Sequence, residues 1–109
     1  MDCIFCKIAN KEIPSEITYE NEDVISFKDI NPKAPIHFLV VPKKHVASLA
    51  EIADSDEPLL GNLILTAKKI AEEKGLKGYK LVINVGREGG QVVDHLHIHL
   101  LGGKPSELP

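Results

Sequence analysis

The chain has 109 residues, 43% hydrophobic and 27% charged, with a net charge of −3, which is the size and composition of one globular domain spanning 1–109. The acidic balance argues against a general nucleic-acid surface, and the Lys43-Lys44 pair is too short to make a basic patch. No apolar run approaches the ~20 residues that cross a bilayer, and the first residues, Met-Asp-Cys-Ile-Phe-Cys, lack the basic start of a secretion signal, so the expected setting is the cytoplasm, with neither membrane nor nucleic acid as partner.

In chain order, apolar residues at 4, 5 and 8 predict a short helix over 3–9. Within it, Cys3-Ile4-Phe5-Cys6 puts both sulfurs on one side. That spacing fits a redox pair, half of a zinc site or two small buried thiols. A redox pair wants a βαβ context, which the pattern lacks, while zinc wants four Cys or His donors. Residues 17–19 and 24–27 read as strands joined by a turn at Glu20-Asn21-Glu22-Asp23. Residues 31–35 contain two prolines and form a loop. Residues 36–41 alternate His37, Leu39 and Val41 against Ile36, Phe38 and Val40, and Pro42 ends that strand.

Residues 46–52 suggest a helical turn. The clearest helix runs from about 57 to 74, with Ser55 and Asp56 placed to cap it and Pro58 suited to its first turn. Leu59, Leu60, Leu63, Ile64, Ala67, Ile70 and Ala71 fall on one face, and Gly75 follows as a natural stop. Residues 79–85 and 95–101 complete five strands. The expected class is α+β: a mostly antiparallel sheet with one long helix covering one face.

The last of these strands reads His-Leu-His-Ile-His-Leu-Leu. Successive strand side chains point to opposite faces, so His95, His97 and His99 line one face while Leu96, Ile98 and Leu100 enter the other. Packing does not call for three histidines there. Imidazole is a nucleophile and a metal ligand, and His97, flanked by the other two, is the natural nucleophile toward phosphorus. The preceding Gly86-Arg87-Glu88-Gly89-Gly90-Gln91 is either a glycine-rich turn or a backbone cradle for an anion. Asp29 opens a loop, as an Asx turn or as an acceptor for vicinal ribose hydroxyls.

The His-φ-His-φ-His-φ-φ pattern, with φ apolar, resembles the histidine triad superfamily. The segments 11–14, 27–32, 34–45 and 89–91, with the Gly102-Gly103 pair, resemble its Hint branch, the histidine triad nucleotide-binding proteins, over nearly the whole chain. The resemblance implies that two subunits pair into one continuous sheet. It implies that His97 forms a covalent nucleotidyl intermediate, that His99 helps hold the phosphate and that His37 sits behind them, completing four histidines with His95. It further implies a base pocket of Phe5, Ile8, Ile13, Phe27 and Ile30, ribose contacts from Asp29 and Asn84, and a phosphate loop at Gly90, Gln91 and Val92. Members with the CxxC imply a structural zinc on Cys3, Cys6, His45 and His95, as in the bacterial type.

The resemblance therefore implies a hydrolase acting on purine nucleoside phosphoramidates, as a homodimer. Its rivals are a dinucleoside polyphosphate hydrolase and a nucleotide-binding module without turnover. A nucleotidylyl transferase is disfavoured because that branch carries glutamine where this chain has His99. Two positions depart from the branch. Val92 stands where many members carry a serine, and the tail after Gly103 lacks the tryptophan-bearing end of many Hint chains.

Overall fold

The computed structural model describes residues 3–104; the tail residues 105–109, with the missing tryptophan noted above, lie outside them. The elements are α1 (Ile4–Ala9), β1 (Ile17–Glu20), β2 (Val24–Lys28), β3 (Ile36–Pro42), α2 (Glu57–Glu73), β4 (Tyr79–Val82) and β5 (Ile98–Gly102), with short 3-10 turns at Leu49–Glu51, Asp54–Asp56 and Arg87–Gly89. The five strands form one sheet in the order β1-β2-β3-β5-β4, and every neighbouring pair is antiparallel. The β1–β2 turn is closed by Asn21, whose Oδ1 accepts the backbone N–H groups of Asp23 and Val24 at 2.9 and 2.8 Å.

Helix α2 ends as its sequence predicts. Gly75 takes φ +70°, and the N–H groups of Gly75 and Leu76 close on the carbonyls of Glu72 and Ala71 at 3.0 Å each, the Schellman arrangement that satisfies orphan carbonyls. Its start differs from the expectation. Asp56 is the N-cap residue but makes no side-chain cap; its carboxylate instead binds Lys44 Nζ at 2.9 Å and the Ala53 N–H at 3.3 Å.

The sheet has two apolar faces rather than the single covered face expected. On one, Leu63, Ala67, Ile70 and Ala71 of α2 pack against Val24, Phe38, Val40, Leu96, Ile98 and Leu100. On the other, Phe5 and Ile8 of α1 pack against Ile25, Phe27, Leu39 and Val41. The β3–β5 register pairs Leu39 with His99 and His37 with Leu101, so the histidines share the α1 side.

Both C-terminal strands are shorter than the sequence suggests. The β3–β5 ladder ends at the Val40–Ile98 pair, because Pro42 has no N–H to donate further along. His95 and His97 therefore precede β5. The alternation survives outside the ladder: Leu96 still joins the α2 core, and its N–H goes to the Val46 carbonyl at 2.7 Å. Strand β4 stops at Val82, opposite His99, so residues 83–85 have left the ladder.

Candidate active site and metal cluster

Four histidines and Asp29 lie on the α1 side, and their hydrogen-bond partners decide where the ring protons sit. His97 Nδ1 is 2.7 Å from the backbone carbonyl of His95. A carbonyl only accepts, so Nδ1 carries the proton and Nε2 keeps a lone pair. The ring is 5% exposed and meets the Phe5 ring edge-on at 5.2 Å, which fixes its plane. The bond holds Nε2, the nitrogen that bears the lone pair in the neutral tautomer, away from the backbone.

A second chain of bonds ends at His99. The Lys33 N–H donates to His37 Nδ1 at 3.0 Å, so the proton of neutral His37 is on Nε2. That nitrogen is 2.9 Å from His99 Nδ1 and 3.4 Å from an Asp29 carboxylate oxygen. When His99 Nδ1 accepts that hydrogen, His99 carries its own proton on Nε2, as a donor. Burial, then His97 and His37, push His99 down to about 4. Burial also lowers His37 against the pull of Asp29. Both are neutral at pH 7, so His99 meets an anion with an N–H dipole and not with a full charge.

The third cluster joins α1 to the segment before β5. His95 Nε2 is 2.8 Å from the Pro42 carbonyl, so Nε2 donates and Nδ1 is a bare lone pair. Cys3 Sγ is 3.3 Å, Cys6 Sγ 3.5 Å and His45 Nδ1 3.2 Å from that lone pair, and Cys6 Sγ lies 3.4 Å from His45 Nδ1. A tetrahedral zinc with bonds of about 2.0–2.1 Å to nitrogen and about 2.3 Å to sulfur has edges of roughly 3.3–3.8 Å. The four donors fit that group. Cys3 Sγ also accepts the Cys6 N–H at 3.4 Å, a bond suited to a thiolate. Burial, then the Cys3 thiol, push Cys6 up to about 11, so a nearby cation would favour its thiolate.

The family model described as the scavenger mRNA decapping enzyme C-terminal binding domain matches residues 2–107. Protein HitA of Neisseria gonorrhoeae is 53% identical over 102 residues, covering 93% of this chain and 95% of that one. The chain belongs to the histidine triad family. Among solved structures, a HIT family hydrolase from Legionella pneumophila superposes with a TM-score of 0.96 at 47% identity, covering 99% of this chain and 98% of its own. A histidine triad protein from Clostridium difficile gives 0.94 at 51% identity, covering 100% and 95%. A histidine triad nucleotide-binding protein from Candida albicans gives 0.83 at 38% identity, covering 99% and 86%.

The other residues singled out for this histidine triad protein divide into three groups. Phe5, Ile8 and Phe27 are buried in the α1-side core, and Ile13 packs against it half-buried. Ile30 is 87% exposed and Val92 80% exposed, so both are open apolar surface and not core. Gln91 and Asn84 brace the loop from within. Gln91 is buried; its Oε1 accepts the Gly86 N–H at 2.9 Å, and Nε2 donates to Ala47 and Val93 carbonyls at 2.7 and 2.9 Å. Both amide hydrogens are spent internally. Asn84 Nδ2 donates to the Gly89 carbonyl at 2.8 Å, beneath Gly90 at φ +88°.

Sequence reasoning missed the groups that orient the histidines. These are the carbonyls of His95 and Pro42 and the N–H of Lys33, backbone atoms that carry no residue signature. It also missed Arg87, which binds the Gln91 carbonyl and the Asp94 carboxylate at 3.0 Å and so ties the loop to the triad segment. A groove of about 420 Å³ lined by Glu22, Lys43, Lys44, Asp56 and Asn62 contains none of the histidines. Its lysines are paired with Glu20 and Asp56.

Proposed function

We propose that this protein is a nucleotide hydrolase of the cytoplasm that cleaves purine nucleoside phosphoramidates through a nucleotidyl intermediate on His97. The observation that carries the reading is the bond from His97 Nδ1 to the His95 carbonyl. It leaves Nε2 as the nucleophile and gives the positive charge that develops on the ring an acceptor at 2.7 Å. Nε2 attacks phosphorus, the P–N bond breaks, and the amine leaves with a proton from solvent or the site. Water then attacks the N–P bond, releases the nucleoside monophosphate and restores the neutral imidazole.

His99 would donate Nε2–H to a phosphoryl oxygen, with His37 behind it. Asp29 would accept the ribose hydroxyls, and the base would lie over Ile30, the exposed apolar residue beside it. The backbone at Gly90 and Val92 would close on the phosphate. Cys3, Cys6, His45 and His95 would hold zinc. Bound there by four protein donors, the metal supplies a closed structural cross-link and no open coordination position. It would pin α1, and with it Phe5, to the segment that carries His97.

Two exposed features support a homodimer. Strand β4 is a sheet edge, which invites pairing, and Ile64, Leu65 and Tyr79 are 44, 65 and 40% exposed. Sedimentation at micromolar concentration would give twice the 12.0 kDa chain mass; a monomer would refute it.

The test of function is AMP release from an adenosine phosphoramidate by the metal-loaded protein and by His97→Ala. Turnover should fall by at least about a thousandfold in the variant. Val92, which has no hydroxyl to assist a leaving group, favours one second reading: a nucleotide-binding module. AMP binding without turnover in either protein would select it.

A further inference from the structure

Asp29 comes from the end of β2, His37 from β3 and His99 from β5, and their side-chain donor atoms lie within 4.8 Å of one another. We propose that Asp29 couples recognition of the sugar to the state of the phosphate-side histidine: a vicinal diol bound at Asp29 commits the Nε2 proton of His37 to His99 and fixes His99 as an Nε2–H donor. The inference rests on the nucleotide reading above and deepens it.

The geometry contains one proton and two acceptors. Because Lys33 N–H occupies His37 Nδ1, neutral His37 has only its Nε2 hydrogen to give. His99 Nδ1 at 2.9 Å is the nearer acceptor; the Asp29 oxygen at 3.4 Å is the farther but charged one. Asp29 is held in place, since its other oxygen accepts the Asn31 N–H at 2.8 Å and its own N–H donates to the His37 carbonyl at 3.0 Å. Its side chain is 19% exposed against 3% for His37. An incoming ligand therefore reaches the carboxylate before it reaches the histidine.

The two destinations of the proton differ at the phosphate. If His37 donates to His99 Nδ1, the His99 proton must be on Nε2, facing an anion as a donor. If His37 turns its proton toward Asp29, His99 has nothing to hold its tautomer. The form protonated on Nδ1 then presents a lone pair to the phosphate, which repels it. Diol hydroxyls donate to the carboxylate, occupy its lone pairs and weaken its pull on His37. The sugar thus prepares the donor that meets the phosphate, and the discrimination between ribose and 2′-deoxyribose enters the chemical step as well as binding.

The same three side chains are poorly suited to a metal. A cation on His37 Nε2 would need that nitrogen bare while Nδ1 is still accepting the Lys33 N–H, which would make the ring an imidazolate.

The experiment is long-range ¹H–¹⁵N spectroscopy of histidine-labelled, metal-loaded protein with AMP and with 2′-deoxy-AMP. AMP should move His99 to a single tautomer protonated on Nε2, whereas 2′-deoxy-AMP should leave it averaged. Free Asp29→Ala should already show the committed pattern. With ribo and 2′-deoxy phosphoramidates, kcat should differ by about tenfold in the wild type and by less than about twofold in Asp29→Ala. Equal His99 tautomers with both nucleotides bound, or discrimination confined to KM, would overturn the coupling and leave the hydrolase reading standing. Absence of any response to either nucleotide would overturn that reading, and the coupling with it. If Asp29→Ala does not fold, the wild-type comparison decides alone.

Discussion

Two clusters on the α1 side of the sheet are made from the same kinds of groups. Cys3, Cys6, His45 and His95 form one, and Asp29, His37 and His99 form the other; in each, the donor atoms lie within 4.8 Å. Spacing alone would call both of them metal sites. The far nitrogen of one histidine in each separates them. His95 gives its Nε2 proton to the Pro42 carbonyl and turns a lone pair inward, toward sulfurs and another imidazole. His37 receives the Lys33 N–H on Nδ1 and turns a proton inward, toward His99 and Asp29. The first cluster turns lone pairs toward one point, as a cation needs, and the second already holds the proton that fills it. A backbone carbonyl or a backbone N–H behind the ring is what selects between them.

The strongest way to break that comparison is to remove a metal. Chelation, or Cys6→Ser, should lower Tm by roughly 10–20 °C and abolish a stoichiometry of one zinc per chain. His37→Gln should leave the zinc content unchanged. An unchanged melting curve after chelation would show that the first cluster is no more a cation site than the second.

His37→Gln should instead act on turnover. With His99 no longer oriented, kcat should drop by up to about a hundredfold, read by AMP release. A variant with full activity would remove His37 from the site.

Gly103→Ala tests the loop that carries Lys33. Gly103 has φ +97°, and an added Cβ would lie 2.8 Å from Pro35 Cβ. The substitution should cost about 1–3 kcal/mol in urea unfolding and should also lower kcat, because Pro35 belongs to the segment that presents the Lys33 N–H. Gly75→Ala, at φ +70° with open space around it, should cost about 1–2 kcal/mol through backbone strain alone and leave kcat unchanged. Equal kcat values in the two variants would separate the loop from the proton cluster.

The smallest effect is on stability in acid. His99 is held near 4 in the fold by burial, then by His97 and His37, against an ordinary value of 6.5. Between those values the unfolded chain binds more protons, so stability falls as pH drops from about 6.5 toward 4. Discounted for partial exposure, the loss is on the order of 1–2 kcal/mol. Denaturant midpoints across that range should show a shallower slope in His99→Gln.

Much of the site was legible in the residues. The triad's alternation could be read although His95 and His97 lie outside the ladder, because the extended chain keeps period two wherever Leu96 and Ile98 are buried. The CxxC could be read because a short helix keeps both sulfurs together. That Gln91 and Asn84 brace the loop was not legible, because amides in a glycine-rich loop look alike whether they face inward or outward. The carbonyl that claims Gln91 Nε2 belongs to Ala47, 44 positions away. The resemblance groups Ile30 with Phe27 in a base pocket; the strand ends at Lys28 and the next turn exposes Ile30.

The order of residues established which reactive groups this protein owns, which of them share a strand face, and where its long helix stops, since each follows from local periodicity and turn chemistry. Local backbone orients His97 and His37, but for His95 and His99 the nitrogen that bears the proton depended on partners brought from elsewhere in the chain. Pro42 is 53 positions from His95, and His37 is 62 from His99. A tautomer is chosen by whichever acceptor or donor the fold sets against the ring, and so whether His95 and His99 turn a lone pair or a proton into their clusters is decided only when the strands have met.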